Sequence, residues 1–144
     1  MSGGTTGRGS MTLPSTLASV SVVEETALKF ALNIGFDPDT ASNLAMVARE
    51  AVVNAVVHGN RYHPDKHVVA SFEFSTDAMT IKVSDEGEGM DESLLPDPLA
   101  PENLLRSSGR GIFLIRAFMD EVHFRKLGPG TEITLVKHRI TGEK

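Results

Sequence analysis

The sequence predicts an α+β fold, a two-layer sandwich in which helices cover one face of a mixed β-sheet whose strands are mostly antiparallel. Two stretches carry apolar residues at helical spacing, and apolar and polar residues alternate as in strands on both sides of two short turns. Helices that pack on one face of a largely antiparallel sheet form such a sandwich. The length of 144 residues favours one domain, because domains most often comprise about 100–150 residues.

The start of the chain is poor in apolar residues. Residues 1–10 include four glycines, and a segment of this kind buries too little apolar surface to offset the entropy lost on ordering. We expect residues 1–10 to form a disordered leader and residues 11–144 to form the folded domain. Residues 11–14 are compatible with a short edge strand, because Pro14 lacks the backbone donor that a central strand needs.

Two helices are predicted next. Apolar residues recur every three to four positions across residues 19–33, which is typical of an amphipathic helix. Asp37 followed by Pro38 is a common start of a helix, and the alanine-rich stretch after them favours one buried helix that ends at Gly59.

Strands and a loop follow. Alternating apolar residues in 68–74 and 79–83, on either side of a turn, predict a β-hairpin. Residues 85–108 contain three prolines, so they are predicted to be mostly loop, with at most one helical turn at 102–105.

The last part of the chain predicts one helix and two strands. Apolar residues in 112–119 have helical spacing, and this third helix is predicted to be short. The strands 122–124 and 132–136 flank a turn built from residues 128–130, which read Gly-Pro-Gly.

Composition and charge disfavour several classes of function. A net charge of -5, one tyrosine and no tryptophan offer little to neutralise phosphates or to stack on bases, so nucleic-acid binding is not expected. The absence of cysteine excludes disulfides and thiolate metal sites. No apolar run approaches the roughly 18 residues of a membrane span, and the start does not resemble a signal peptide. We therefore expect a cytoplasmic protein that does not bind membranes.

Three short motifs could carry chemistry. Glu50 and Asn54 are four residues apart on the second helix and share a face, although such a pair is more often solvated surface. Asp85 opens the run DEGEG directly after a strand, and its carboxylate could accept a hydrogen bond from an exocyclic amine such as that of adenine. Taken alone, that run is more often an acidic turn.

The third motif is residues 107–111, Ser-Ser-Gly-Arg-Gly, just before the predicted third helix. Free N–H groups at a helix start suit phosphate, and Arg106 and Arg110 add positive charge. A flexible linker with a serine cap explains this motif equally well in isolation. The three motifs in this order are a stronger signal than any one of them.

The motifs carry a specific resemblance. Residues 50–60 (EAVVNAVVHGN), 85–90 (DEGEGM) and 108–115 (SGRGIFLI) resemble the N box and the two glycine boxes of the GHKL superfamily of ATP-binding proteins. From Ala48 onwards, including residues 128–131, the chain is most similar to the small bacterial serine kinases that act as anti-sigma factors. The resemblance covers nearly the whole chain after Met11.

The resemblance implies a role for each matching residue. Glu50 would be the general base, Asn54 a ligand of the Mg²⁺ that bridges the phosphates of ATP, and Asp85 the residue that binds the adenine amino group. The other residues implied to bind the nucleotide are Gly87, Gly89, Met90, Arg106, Gly109, Arg110, Gly111 and Thr131. Residues 91–106 would form the lid; they contain no lysine, so Arg106 or Arg110 would supply the charge on the phosphates.

The function implied by the resemblance is that of an ATP-dependent protein serine kinase. It would phosphorylate an anti-anti-sigma partner of the STAS type, sequester an RNA polymerase sigma factor when free, and form a homodimer through the first helix. The alternative is a non-catalytic ATP-binding module whose affinity for a partner is switched by nucleotide. The ATPase part of a histidine kinase is disfavoured, because no helical hairpin with a phosphorylatable histidine is recognisable in the sequence.

Overall fold

The computed structural model describes residues 7–75, 77–87 and 107–139, with the backbone alone for 107–112. The strands are β1 (Gly7–Pro14), β2 (His67–Phe74), β3 (Ala78–Ser84), β4 (Glu121–Lys126) and β5 (Thr131–His138). The helices are α1 (Leu17–Asn33), α2 (Pro38–Val53) and α3 (Ser107–Phe118), and a π-helical turn, Asn54–Gly59, continues α2. Within these ranges, no helix is both long and apolar enough to cross a membrane.

The strands form one sheet in the order β1-β2-β3-β5-β4. Every pairing among the described strands is antiparallel, so the predicted α+β fold is confirmed, whereas the parallel pairing of a mixed sheet is not found in them. The register sets apolar residues side by side on one face. For example, Ile81 pairs with Leu135 in the middle of the sheet. The predicted hairpin, β2 and β3, is also confirmed.

The core lies between that face and the helices. In β3, Met79 and Ile81 are fully buried, while Thr80 and Lys82 between and beyond them are partly exposed. This alternation is the period of two that a half-buried strand shows. The buried face of α2 is rich in alanine, which lets α1 pack closely against it through small residues such as Ala27.

The predicted disordered leader is wrong for residues 7–10. These residues belong to β1, which pairs with β2 along its whole length, from Gly7 opposite Phe74 to Pro14 opposite His67. The ladder satisfies those backbone groups of this glycine-rich segment that face β2, so pairing with β2 outweighs its weak strand propensity. Residues 1–6 lie outside the described part of the chain.

The second helix starts where the sequence predicts. The Asp37 carboxylate accepts hydrogen bonds from the N–H of Thr40 at 3.2 Å and from its hydroxyl at 2.6 Å, and Pro38 occupies the first turn. The end differs from the prediction, because Asn54–Gly59 is a π-helical turn rather than a continuation of the α-helix. This wider turn places Gly59 against the side chain of Asp85.

The third helix begins earlier than predicted. α3 starts at Ser107 rather than at residue 112, so the serines and glycines of the third motif form its first turns. The first N–H groups of a helix have no partner within it, and glycine and serine are therefore tolerated there more easily than in the middle. The helical turn predicted at 102–105 lies outside the described residues.

Candidate functional site

A cavity lies between the C-terminal end of α2 and the inner face of β3, β4 and β5. It encloses about 310 Å³ of free space, part of it open to solvent. The residues that line it are Ala51, Asn54, Ala55, Val83, Asp85, Phe124, Thr131 and Ile133. Apolar walls with a few polar groups are typical of small-molecule sites. The lining of this cavity is therefore of the kind that binds a mostly apolar group with one or two polar atoms.

Asp85 is the charged group of this cavity. It directly follows β3, is 7% exposed, and its N–H donates to the carbonyl oxygen of Thr131 at 3.0 Å. Its Oδ1 accepts from the N–H of Gly87 at 3.0 Å. Burial raises the pKa of Asp85, although backbone hydrogen bonds at Gly87 and Thr131 and the charge of Lys66 act to lower it. A buried carboxylate in this state is stabilised by any ligand that brings a donor.

Glycines allow the backbone to approach Asp85 closely. A Cβ atom at Gly59 would lie 2.4 Å from Oδ2 of Asp85, and one at Gly130 would lie 2.0 Å from its carbonyl oxygen. Gly130 also has a φ of +107°, which side chains rarely adopt. A Cβ atom at Gly87 would lie similarly close to the carbonyl oxygen of Gly59. These contacts hold the end of the π-helical turn, the turn after β3 and the start of β5 against one another.

The two residues of the first motif are separated by the structure. Asn54 lines the cavity, as the sequence predicts for a site residue. Glu50 is not among the residues that line it; its carboxylate pairs with Nη1 of Arg49 at 3.0 Å, and its side chain is 18% exposed. Arg49 in turn lies 3.8 Å from Glu24 on α1. The carboxylate and the amide thus lie one helical turn apart in different surroundings.

The π-helical turn determines which residue contacts Asp85. The N–H of Asn60 donates to the carbonyl of Ala55 at 2.8 Å, five residues back, rather than four as in an α-helix. In a regular α-helix His58 would follow Asn54 on the same face. In the structure His58 is exposed, and Gly59 is the residue that meets Asp85. π-helical turns are frequent at functional sites.

The glycine motifs are described in part. Gly87 is buried in the turn after β3, whereas Gly89, Met90, Arg106 and the predicted lid lie outside the described residues. The third motif is predicted to precede the helix, and this is wrong, because its residues lie in the first turns of α3. Their backbone N–H groups are therefore at the positive end of the helix dipole, where an anion is stabilised. Three further residues that the resemblance implies for the site fall in this segment: Gly109, Arg110 and Gly111.

Sequence reasoning missed several residues of the site. Ala51 and Ala55 lie on the helix face of Asn54, and their small side chains leave the cavity open; their spacing of four was the available signal. Val83, Phe124 and Ile133 line the cavity as alternating strand residues that could not be told from ordinary core positions. Asn60, which is 2% exposed, ends the run 50–60 that resembles the N box, but its place after a helix-ending glycine gave no reason to expect a buried side chain.

Comparison with known proteins identifies relatives. Residues 13–137 match the family model described as the histidine kinase-like ATPase domain. The serine-protein kinase RsbW of Staphylococcus epidermidis is 31% identical over 135 residues, which are 89% of this chain and 84% of that protein. The anti-sigma F factor of Anoxybacillus flavithermus is 30% identical over 103 residues, 69% of this chain and 70% of that protein.

A solved structure supports the fold. The crystal structure of the RsbU and RsbW domains of Rv1364c from Mycobacterium tuberculosis superimposes on 93% of this chain with a TM-score of 0.67 and 19% sequence identity. This chain spans about a third of that longer one, 33%. At this level of identity the similarity concerns the fold: an antiparallel sheet with helices on one face.

Proposed function

Because this chain belongs to the family of histidine kinase-like ATPase domains and its relatives are serine-protein kinases and an anti-sigma factor, we propose that it is an ATP-dependent protein serine kinase and anti-sigma factor whose adenine site is the cavity beside Asp85. The observation that carries this assignment is the buried carboxylate of Asp85 at a cavity lined mostly by apolar residues. An apolar slot with one acceptor suits a flat ring that carries an amino group.

The adenine end is supported by the chemistry of its residues. Asp85 would accept a hydrogen bond from the adenine amino group, which partly compensates the desolvation that raises its pKa. Thr131, 5% exposed and bonded through its carbonyl to Asp85, is the other polar residue at this end of the cavity. Val83 and Ile133 supply apolar contacts to the ring. The cavity is partly open to solvent, so the sugar and phosphates would extend out of it.

The phosphate end is proposed around Asn54 and the first turns of α3. The amide oxygen of Asn54 is a hard ligand of the kind Mg²⁺ prefers. When bound, Mg²⁺ would neutralise charge on the phosphates. The backbone N–H groups at Gly109 and Gly111 would bind phosphate oxygens, with Arg110 as a source of positive charge. Roles in nucleotide binding for Gly87, Gly89, Met90 and Arg106 stay predictions from the resemblance.

Glu50 is proposed as the general base. Its carboxylate would take the proton from the hydroxyl of the substrate serine as that oxygen bonds to the γ-phosphorus and ADP leaves. The side chain is partly exposed and paired with the exposed Arg49, so it can turn toward a substrate that docks over this helix. Exposed ion pairs of this kind contribute little, typically up to about 1 kcal/mol, and would not prevent such a rotation.

The partners belong to the same proposal. The substrate would be a serine of a STAS-type anti-anti-sigma protein, the sequestered protein an RNA polymerase sigma factor, and the setting the cytoplasm. A homodimer through α1 is supported by the large apolar side chains that this helix exposes, among them Leu17 and Val22 at 56% and 44%.

One observation favours a second candidate function. Glu50 pairs with Arg49 and does not line the cavity, as in a module that binds ATP without transferring its phosphate. Nucleotide would then set the affinity for a partner protein by favouring one of two states.

Incubation of the purified chain with ATP, Mg²⁺ and a STAS-domain protein separates the two candidates. For the kinase we expect heat of ATP binding by calorimetry and phosphoserine on the partner by mass spectrometry. A partner whose target serine is replaced by alanine is the matched control. ATP binding without phosphoserine would leave the switched module, and no heat with any adenine nucleotide would contradict both.

A further inference from the structure

We propose that Asn60 is a positioning residue for nucleotide selectivity: its side-chain amide fixes the turn at residues 85–87 and thereby holds the Asp85 carboxylate in place. This inference rests on the proposed function, since it concerns how the adenine site is built. Asn60 does not line the cavity. It acts through Glu86, because its Oδ1 accepts a hydrogen bond from the backbone N–H of Glu86.

Both the oxygen and the nitrogen of the Asn60 side-chain amide form hydrogen bonds. Its Oδ1 accepts from the N–H of Glu86 at 2.8 Å, and its Nδ2 donates to Oγ of Ser15 at 2.8 Å and to the carbonyl of His67 at 3.0 Å. These partners lie on three different segments: the turn after β3, the junction between β1 and α1, and the start of β2. With 2% of Asn60 exposed, bulk water does not compete for these bonds while the amide is in place.

The turn at residues 85–87 is held by three successive N–H groups. Asp85 donates to the carbonyl of Thr131 at 3.0 Å, Glu86 to Asn60 at 2.8 Å, and Gly87 to the carboxylate of Asp85 at 3.0 Å. The middle bond orients the peptide group between Asp85 and Glu86. Without it, that peptide can rotate, and the direction in which the Asp85 side chain leaves the backbone changes with it.

The chemistry of the site requires an amide. It needs one acceptor toward Glu86 and two donors toward Ser15 and His67. Alanine would leave the N–H of Glu86 without its partner, whereas aspartate would keep an acceptor there but lose both donated bonds. Ser15 is itself fixed by donating to the carbonyl of Lys66 at 2.6 Å, so it supports the amide from the side away from the nucleotide.

The test compares Asn60→Ala with Ser15→Ala and measures binding of ATP and of GTP by calorimetry. Guanine carries a carbonyl where adenine carries its amino group, so the ratio of the two affinities reports where the Asp85 carboxylate lies. For Asn60→Ala we expect ATP affinity to fall about 10-fold or more and the ATP-to-GTP selectivity to fall by a similar factor. Ser15→Ala keeps the bond from Glu86 and should retain both within about twofold, even if its Tm falls.

A structural role alone would lower the folded fraction and reduce ATP and GTP binding equally. Unchanged selectivity in folded Asn60→Ala would therefore overturn the proposal while leaving the proposed function intact, whereas wild-type protein that binds no ATP would remove the proposed function. If Asn60→Ala does not fold, Asn60→Asp replaces it. We expect that variant to have a lower Tm and selectivity within about threefold of wild type, and loss of its selectivity would equally overturn the proposal.

Discussion

The two ends of the candidate site are built in different ways. Around Asp85 the polar groups are buried, with 7% of Asp85, 2% of Asn60 and 5% of Thr131 exposed, and backbone groups fix them in place. Around Glu50 the carboxylate is paired with Arg49, whose side chain is 48% exposed. The comparison indicates that the end proposed to bind the base is preorganised, whereas the group proposed for catalysis is adjustable before a substrate docks.

The interactions at the two ends also differ in the free energy that they contribute. A buried hydrogen bond to a charged group contributes roughly 1.5–3 kcal/mol, whereas an exposed ion pair contributes about 0–1 kcal/mol. Changes near Asp85 should therefore alter stability and affinity, and changes at Glu50 should alter the rate of transfer. Variants at the two ends therefore test this contrast.

The largest effect is expected at Gly130. Alanine there would place its Cβ 2.0 Å from the carbonyl oxygen of Asp85 at a φ of +107°, so we expect Gly130→Ala to lower the free energy of unfolding by about 3 kcal/mol. Gly128→Ala in the same turn meets open space and should change it by less than about 0.5 kcal/mol. Urea denaturation measures both, and equal stability of the two variants would show that the turn yields more easily than its contacts indicate.

The next effect concerns Glu50. We expect Glu50→Gln to lower phosphate transfer by about 100-fold or more, which corresponds to roughly 2.7 kcal/mol in the barrier. ATP affinity and Tm should stay nearly constant, because the carboxylate does not line the cavity. Glu24→Gln is the matched control, since Glu24 also lies near Arg49, at 3.8 Å, and should transfer at the normal rate. Transfer at the wild-type rate by Glu50→Gln would exclude this carboxylate from the mechanism.

A smaller effect is expected for ATP affinity when Asp85 loses its charge. Asp85→Asn keeps the shape of the side chain and an acceptor for the N–H of Gly87, but weakens the proposed bond to the adenine amino group. We expect the Kd for ATP to rise roughly 30-fold, and titration calorimetry measures it. An unchanged Kd would move the adenine site away from Asp85.

The smallest effect is a change of stability with pH in the same variant. Burial raises the pKa of Asp85 above its usual 3.8 in the folded protein, so the contribution of this group to stability is fully present below 3.8 and is lost as pH rises through the folded value. Asp85→Asn does not titrate. The Tm of the variant relative to wild type should therefore increase from pH 3.5 to pH 7, and a difference that stays constant or decreases would contradict the raised pKa.

The sequence predicts the fold well because the apolar periods are strong. Met79 and Ile81 alternate with polar neighbours, and the buried face of α2 is continuous. The start of β1 and the start of α3 were missed for a common reason: local propensity argues against glycine-rich strands and helices, and a neighbouring strand or a helix terminus compensates for it. Such compensation comes from partners that are distant in sequence or from backbone geometry.

The site was predicted less completely. Asn54, Asp85 and Thr131, which the resemblance implies as nucleotide-binding residues, line the cavity, whereas Glu50 does not, and their roles stay predictions. Asn60 could not be predicted, because its burial depends on the π-helical turn, and the apolar period before it reads equally well as an ordinary α-helix. A single shift of hydrogen bonding decided which of two neighbouring positions faces the site.

That shift makes the effect of a one-residue deletion depend on its position. A π-helical turn is equivalent to an α-helix that has gained one residue by insertion, so removing one residue from Asn54–Gly59 would let the helix close up into the regular pattern with little displacement of the residues that follow. The same deletion within the regular part of α2, Pro38–Val53, would instead rotate everything after it by about 100° around the axis and draw it back by about 1.5 Å. Loss of a single residue would thus disrupt the candidate site most when it falls before the turn rather than inside it.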